Sequence, residues 1–225
     1  MEEINYIGEH LLPGRIGHFC ILLTFLSSIV AMVSYFFATQ RRGLEEAATW
    51  TKMGKTAFYI HSLALVVVAG TFFYILTNNF FEYQYVWANT SHDLPFEYVF
   101  SAFWKDQEGS FMLWMLWHMV LGCVLIWKSG KWEAPVLTFI ALAQFFLSSM
   151  ILGIYIGGGE EPLKFGSNPF LLLRDVMDAP IFANADYLTL VEGRGLNPSL
   201  QNYWMTIHPP TLFLGFASTI VRSKT

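Results

Sequence analysis

The chain has 225 residues, of which 54% are hydrophobic, 17% aromatic and only 13% charged. Soluble domains carry about 25% charged residues, so a water-facing globule of this length would lack its polar coat. The mean hydropathy of +0.43 agrees with a protein solvated largely by lipid; the formal net charge is −4.

Four apolar, nearly uncharged stretches follow in order: about residues 16–38, 56–76, 110–127 and 134–156. Each approaches the roughly 20 residues that cross a bilayer as a helix. Backbone satisfaction in lipid favours helices, and the period-2 alternation of a barrel is absent. A fifth apolar run, about residues 209–221, is too short to cross and stops in "RSKT"; such an ending reads as a split point or frame change. The expected fold is an all-α polytopic membrane protein. It has four full transmembrane helices plus a truncated fifth, with residues 1–225 forming a single membrane domain.

Charge sets the expected orientation. Arg41, Arg42, Lys52, Lys55, Lys128, Lys131, Arg222 and Lys224 share one side with Glu45, Glu46 and Glu133, a net of +5. The opposite side sums to −9. The positive-inside rule then puts the N-terminus outside. The start "MEEINYIGEHLLPGR" lacks the features of a cleaved signal peptide, which makes the first span a retained helix. Cys20 and Cys123 fall inside spans and form no CxxC pair, so apolar packing is expected of both.

The two outer connections are long, about residues 78–109 and 157–207. Loops of that length are functional or disordered, and these are rich in aromatic residues. They suit an interfacial belt or an apolar platform for a flat ligand or partner. The glycine run "IGGGEEPLKFGS" has neither the GKS/T ending nor the preceding strand of a phosphate loop. It reads as a flexible exit from the fourth span.

Six histidines are candidates of different kinds. His61 and His118 lie within spans, and His18 near the outer end of the first; intramembrane ionisable groups are functional candidates, but neutral histidines are also satisfied by neighbouring helices. His10 and His92 sit in polar outer context and are expected to be solvated. His208 precedes Pro209 and Pro210. Proline suits the first turn of a helix and disfavours the α region at the preceding residue. His208 is therefore expected just before the fifth helix. A neutral imidazole there can ligate haem iron, or it can bond a loop carbonyl.

Several pieces together resemble a known family. "LPFEYVFSAFWKDQEGSFMLW" (Leu94 to Trp114), "SNPF" (Ser167 to Phe170), "GRGLNPSLQ" (Gly193 to Gln201) and "IHPPTLFLGF" (Ile207 to Phe216) occur in that order. The set is similar to the N-terminal part of CcmF, the haem-handling membrane subunit of c-type cytochrome maturation, and to its CcsA relatives. The resemblance implies that haem reaches the outer face and is attached to the two thiols of an apocytochrome CxxCH motif. It makes His208 an axial ligand of the haem iron. It offers Arg194 as a partner for a haem propionate, with a loop-internal hydrogen bond the alternative. Trp104, Glu108 and Trp114 fall at or beside the EGSxxLW piece, with positioning or packing roles. No catalytic residue is assigned.

The family's tryptophan-rich WWD segment is not in this sequence, and Trp104 with Asp106 in "FWKDQEG" is not that motif. The second outer histidine and the paired membrane histidines would also lie downstream. The implied partners are apocytochrome c, a WWD-containing polypeptide or a missing C-terminal half, other maturation subunits and the lipid bilayer, with no nucleic acid. The implied location is the inner membrane. Part of a thioether-forming haem lyase is one reading; a catalytically inactive scaffold that binds no haem alone is the other. A transporter would call for charges deep inside spans, and none is evident.

Overall fold

The computed structural model describes residues 5–156 and 163–221. The glycine run's residues 157–162, together with Arg222 and Lys224, lie outside the described residues. Helix α1 spans Leu11–Gln40 and α2 spans Glu46–Thr77. Short helices α3 (Gln84–Asn89) and α4 (Phe96–Phe103) precede α5, Gln107–Lys128. A 3-10 turn leads into α6, Glu133–Leu152. A two-stranded antiparallel pair follows, β1 (Ile154–Ile156) with β2 (Leu163–Phe165). The short α7 (Leu173–Val176) and several 3-10 turns lead to α8, Tyr203–Ser218. Helices α1, α2, α5 and α6 with its leading turn are long and apolar enough to cross a membrane.

These four close into a bundle, α1 packing along α2 and α6, and α5 along α6 and more briefly α2. Lipid-facing side chains remain on the outside, such as Leu12, Phe19, Leu63 and Phe139. Helix α8 stands beside the bundle, against α5 and α4. One core cluster gathers Phe72, Tyr85, Phe103 and Met112 toward the long loops, and another gathers Tyr35, Phe58, Leu137 and Ile140 toward the short ones. At the short-loop end Lys55 meets Glu133 at 3.1 Å, fastening α2 to α6. Arg41 pairs with Glu46 and lies over the rings of Phe37 and Trp50.

The fourth span ends earlier than its apolar run suggests. Gly153 takes a left-handed conformation, φ 69°, which glycine adopts without a Cβ penalty, and residues 154–156 then pair as strand β1 instead of extending the helix. The fifth helix departs in the opposite direction. It begins at Tyr203 because Asn202 caps it, its side-chain oxygen accepting from the Met205 N–H at 3.1 Å. Pro209 and Pro210 thus lie inside α8 and not in its first turn, and His208 is helical. The 16 residues of α8 rise about 24 Å, more than the apolar run alone would give.

The long connections are knitted together. Tyr83 and Leu172 bridge, the Gln84 N–H donates to the Leu171 carbonyl at 2.9 Å and the Leu173 N–H to the Glu82 carbonyl at 2.7 Å. The segment before α1 joins them, its Ile7 N–H donating to Ala185 at 2.9 Å. Buried backbone needs such partners, so loops this apolar fold onto one another as a cap.

Candidate functional site

The site is centred on α8. A helical residue normally donates its N–H to the carbonyl four residues back. Pro209 has no N–H, so the Met205 carbonyl is left without that partner. The Trp104 indole supplies one, donating Nε1–H to Met205 O at 3.0 Å. Trp117 Nε1 donates to the Pro210 carbonyl at 2.9 Å, and the hydroxyls of Ser101 and Thr206 meet at 3.0 Å. Trp114 packs on Phe213 and Phe216, ring centroids 5.9 and 5.6 Å away; its own Nε1 is buried without a partner. Trp104, just after α4, and Trp114 and Trp117 of α5 therefore hold the helix that carries His208.

His208 itself is exposed and makes no hydrogen bond among the described residues. No loop carbonyl engages its ring among the described residues. Trp204, one turn earlier on the same face, is 73% exposed and neighbouring Tyr203 67%. An accessible neutral imidazole can ligate haem iron, and the two rings put accessible aromatic surface beside it.

The "EGS" piece is explained by packing. A β-carbon at Gly109 would overlap the Phe103 carbonyl, so only glycine lets the first turn of α5 sit under the end of α4. Ser110 Oγ then donates to the Trp104 carbonyl at 2.9 Å. Glu108 is half-buried and has no hydrogen bond or ion pair among the described residues. In "SNPF", Asn168 Oδ1 accepts from the Phe170 N–H at 2.9 Å, and its amide nitrogen lies 2.7 Å from His18 Nδ1. The Phe170 ring fills the space over Gly17 of α1.

Arg194 sits on a separate ledge. Its N–H donates to the Trp87 carbonyl at 2.7 Å, and its guanidinium lies 4.2 Å from the centre of the Trp87 ring. That stacking leaves the edge donors free of any carboxylate among the described residues. His10 is more engaged than a solvated residue: it stacks on Phe80 at 4.1 Å and its Nδ1 lies 3.2 Å from the buried Glu82 carboxylate. His92 packs edge-on against Phe81. His61 Nδ1 lies 2.9 Å from the Thr24 carbonyl, while its Nε2 and both nitrogens of His118 are buried without partners. Cys20 and Cys123 are free thiols. Among the described residues no three His, Cys, Asp or Glu side chains form a metal-holding group.

Sequence reasoning missed Trp117 and the acid–base knot of the cap. Glu9 receives Arg174 at 2.9 Å and the Tyr187 hydroxyl at 2.8 Å. Tyr83 donates to the His10 carbonyl at 2.6 Å and accepts from the Gly14 N–H at 2.9 Å. Burial pushes the Tyr83 phenol up to about 12, partly opposed by the Gly14 bond and aided by Glu82 and Glu9. Burial and the Glu9 contact raise Tyr187 as well. No sequence signal pointed to Trp117, because the Pro210 carbonyl that it meets is not one that a proline frees: the missing N–H groups of Pro209 and Pro210 release the carbonyls of Met205 and Thr206.

Bundle, cap and accessory helix define a multi-pass α-helical membrane protein with an exposed histidine at one face. The chain is a homologue of the N-terminal part of the CcmF-type cytochrome c-type biogenesis proteins. It is 28% identical over 206 residues to the CcmF of Haemophilus influenzae, covering 90% of this chain and 28% of that protein. It is 27% identical over 216 residues to the NrfE of the same organism, covering 94% and 29%. To the CcmF of Escherichia coli it is 32% identical over 161 residues, covering 68% and 21%. The chain thus spans less than a third of the length of these relatives. No family model and no solved structure matches it.

Proposed function

We propose that the chain is a membrane component of c-type cytochrome maturation that helps present haem, at the face carrying the long loops, to the CxxCH thiols of an apocytochrome. The observation that carries this reading is His208: an exposed imidazole without a partner among the described residues, on a helix held by indole donors. It supports a role for His208 as an axial ligand to the haem iron. Haem supplies that iron and the two vinyl groups to which the substrate thiols add.

This chain's residues do the holding. Trp104 and Trp117 fix α8, so the imidazole is positioned before cargo arrives and little ordering is left for the binding step. Trp114 packs behind it. Arg194, stacked but unpaired, offers charge-assisted bonds to a propionate, and Glu108 adds a carboxylate near the start of α5. The thiols belong to the substrate, in keeping with Cys20 and Cys123 lying within spans. A polypeptide with a WWD segment, on a second chain or a continuation of this one, supplies the other haem face. Basic residues at the short-loop side support the inner membrane with the N-terminus outside.

The test is haem retention in the complex purified from its native membrane. His208→Ala is expected to lower haem per complex by at least about tenfold, and to shift the Soret band, while subunit composition stays the same. Unchanged haem content and spectrum would remove His208 as a ligand. A wild-type complex without haem that still supports maturation would make the chain a scaffold.

A further inference from the structure

We propose a second site, independent of the haem reading: the groove between the start of α1 and residues 170–175 binds the headgroup of a phospholipid, with a zwitterionic ethanolamine headgroup preferred. The groove encloses about 300 Å³, and its lining includes Leu11, Arg15, His18, Leu171, Arg174 and Asp175. That volume is at the lower end for small-molecule sites; it suits a headgroup and excludes a whole lipid.

The charges in the groove are unequal in their commitments. Arg174 is occupied, bonded to both Glu9 oxygens at 2.9 and 3.4 Å and lying over the Tyr6 ring. Arg15 is exposed and makes no hydrogen bond or ion pair among the described residues. Its guanidinium is a planar fork suited to phosphate oxygens. His18 adds a second donor on the same helix face. The Asn168 amide nitrogen can only donate, so at 2.7 Å it claims His18 Nδ1 as an acceptor and leaves the ring proton on Nε2. Asp175 is 57% exposed and touches only Arg174, at 3.5 Å. One uncommitted cation with one weakly committed carboxylate matches a phosphate joined to an ammonium, and matches a purely anionic headgroup less well.

The acyl chains have a track. From Arg15 and His18 the same face of α1 continues through Leu22, Leu26, Val30 and Val33, all exposed, at the i+3 and i+4 steps that line one side of a helix. The polar groove therefore opens directly onto a lipid-facing apolar stripe, with the arginine at the bilayer boundary where long basic side chains reach headgroups.

The whole chain in mixed micelles, titrated with phosphatidylethanolamine, phosphatidylglycerol or phosphatidylcholine and read by native mass spectrometry, tests the site. Phosphatidylethanolamine is expected to bind most tightly. Arg15→Gln should weaken it at least about tenfold, Arg15→Lys by less, and Asp175→Asn should erase its advantage over the other two. Thermal unfolding of the lipid-free variants should match wild type, since both side chains are exposed. Equal binding by wild type and Arg15→Gln would overturn the site. Tighter phosphatidylglycerol binding would overturn the zwitterion assignment, and full competition by millimolar inorganic phosphate would make it a free-anion site.

Discussion

The bond between Trp104 and the Met205 carbonyl exists because Pro209 cannot donate, and that dependence can be measured. Trp104→Phe keeps an aromatic ring but removes the donor, leaving a half-buried carbonyl unpaired. Such a loss costs about 1–3 kcal/mol in proteins generally, and interhelical polar contacts in membranes fall at the low end, so about 1.5 kcal/mol is expected. For a chain of this size that lowers Tm by about 3–6 °C. In a Pro209→Ala background the backbone N–H of residue 209 returns to Met205 O, and the same substitution should cost only the lost ring area, about 0.5 kcal/mol. The double-mutant cycle, run by unfolding in mixed micelles, should therefore show a coupling of about 1 kcal/mol. Independent sites add to within about 0.3–0.5 kcal/mol. A coupling inside that range would refute the claim that the indole replaces the missing amide.

Gly109→Ala should destabilise by about 3 kcal/mol, the upper end for overpacking, because the new methyl overlaps the Phe103 carbonyl and backbone must move; melting curves beside Ser110→Ala, a milder loss of one hydrogen bond, provide the comparison. A Gly109→Ala protein as stable as wild type would contradict the packing of α4 on α5. Tyr83 predicts a pH effect. Its folded value lies near 12 against an ordinary value near 10, so the folded chain holds that proton more tightly than the unfolded one. The resulting stabilisation is complete below about pH 10 and declines as pH rises toward 12. Unfolding free energy followed through that window should fall less steeply in Tyr83→Phe, and identical slopes would remove Tyr83 from the account.

The spans were legible because lipid imposes a coarse rule: long uncharged runs become helices. What the runs could not give was their ends. The fourth stops at Gly153 although Ile154, Tyr155 and Ile156 continue the apolar pattern, because a left-handed glycine and strand pairing outweigh composition. The fifth starts at Tyr203, where the polar cap Asn202 and not hydropathy marks the beginning. Proline misled for a specific reason: its preference for a first turn is real in water, yet here Trp104, more than 100 residues earlier in the chain, satisfies the carbonyl that proline frees. Likewise no local pattern links Glu9 to Arg174 and Tyr187, so the knot they form in the cap was not legible in the sequence. The motif residues stood out plainly, but Gly109 and Ser110 turned out to seat α5 against the end of α4, and Asn168 and Phe170 to seat their loop on α1.

Trp104 and Trp117 grip α8 at Met205 and Pro210, on either side of His208. Two anchors five residues apart fix both the depth of a helix and its rotational phase. A helix held at one point can roll in the bilayer like a pencil, carrying its side chains from one neighbour to another. Held at two, it keeps a single azimuth. The imidazole of His208 then keeps one bearing relative to α4 and α5, and under the proposed function any exchange of haem there comes from motion of the incoming molecule or of the surrounding polypeptide.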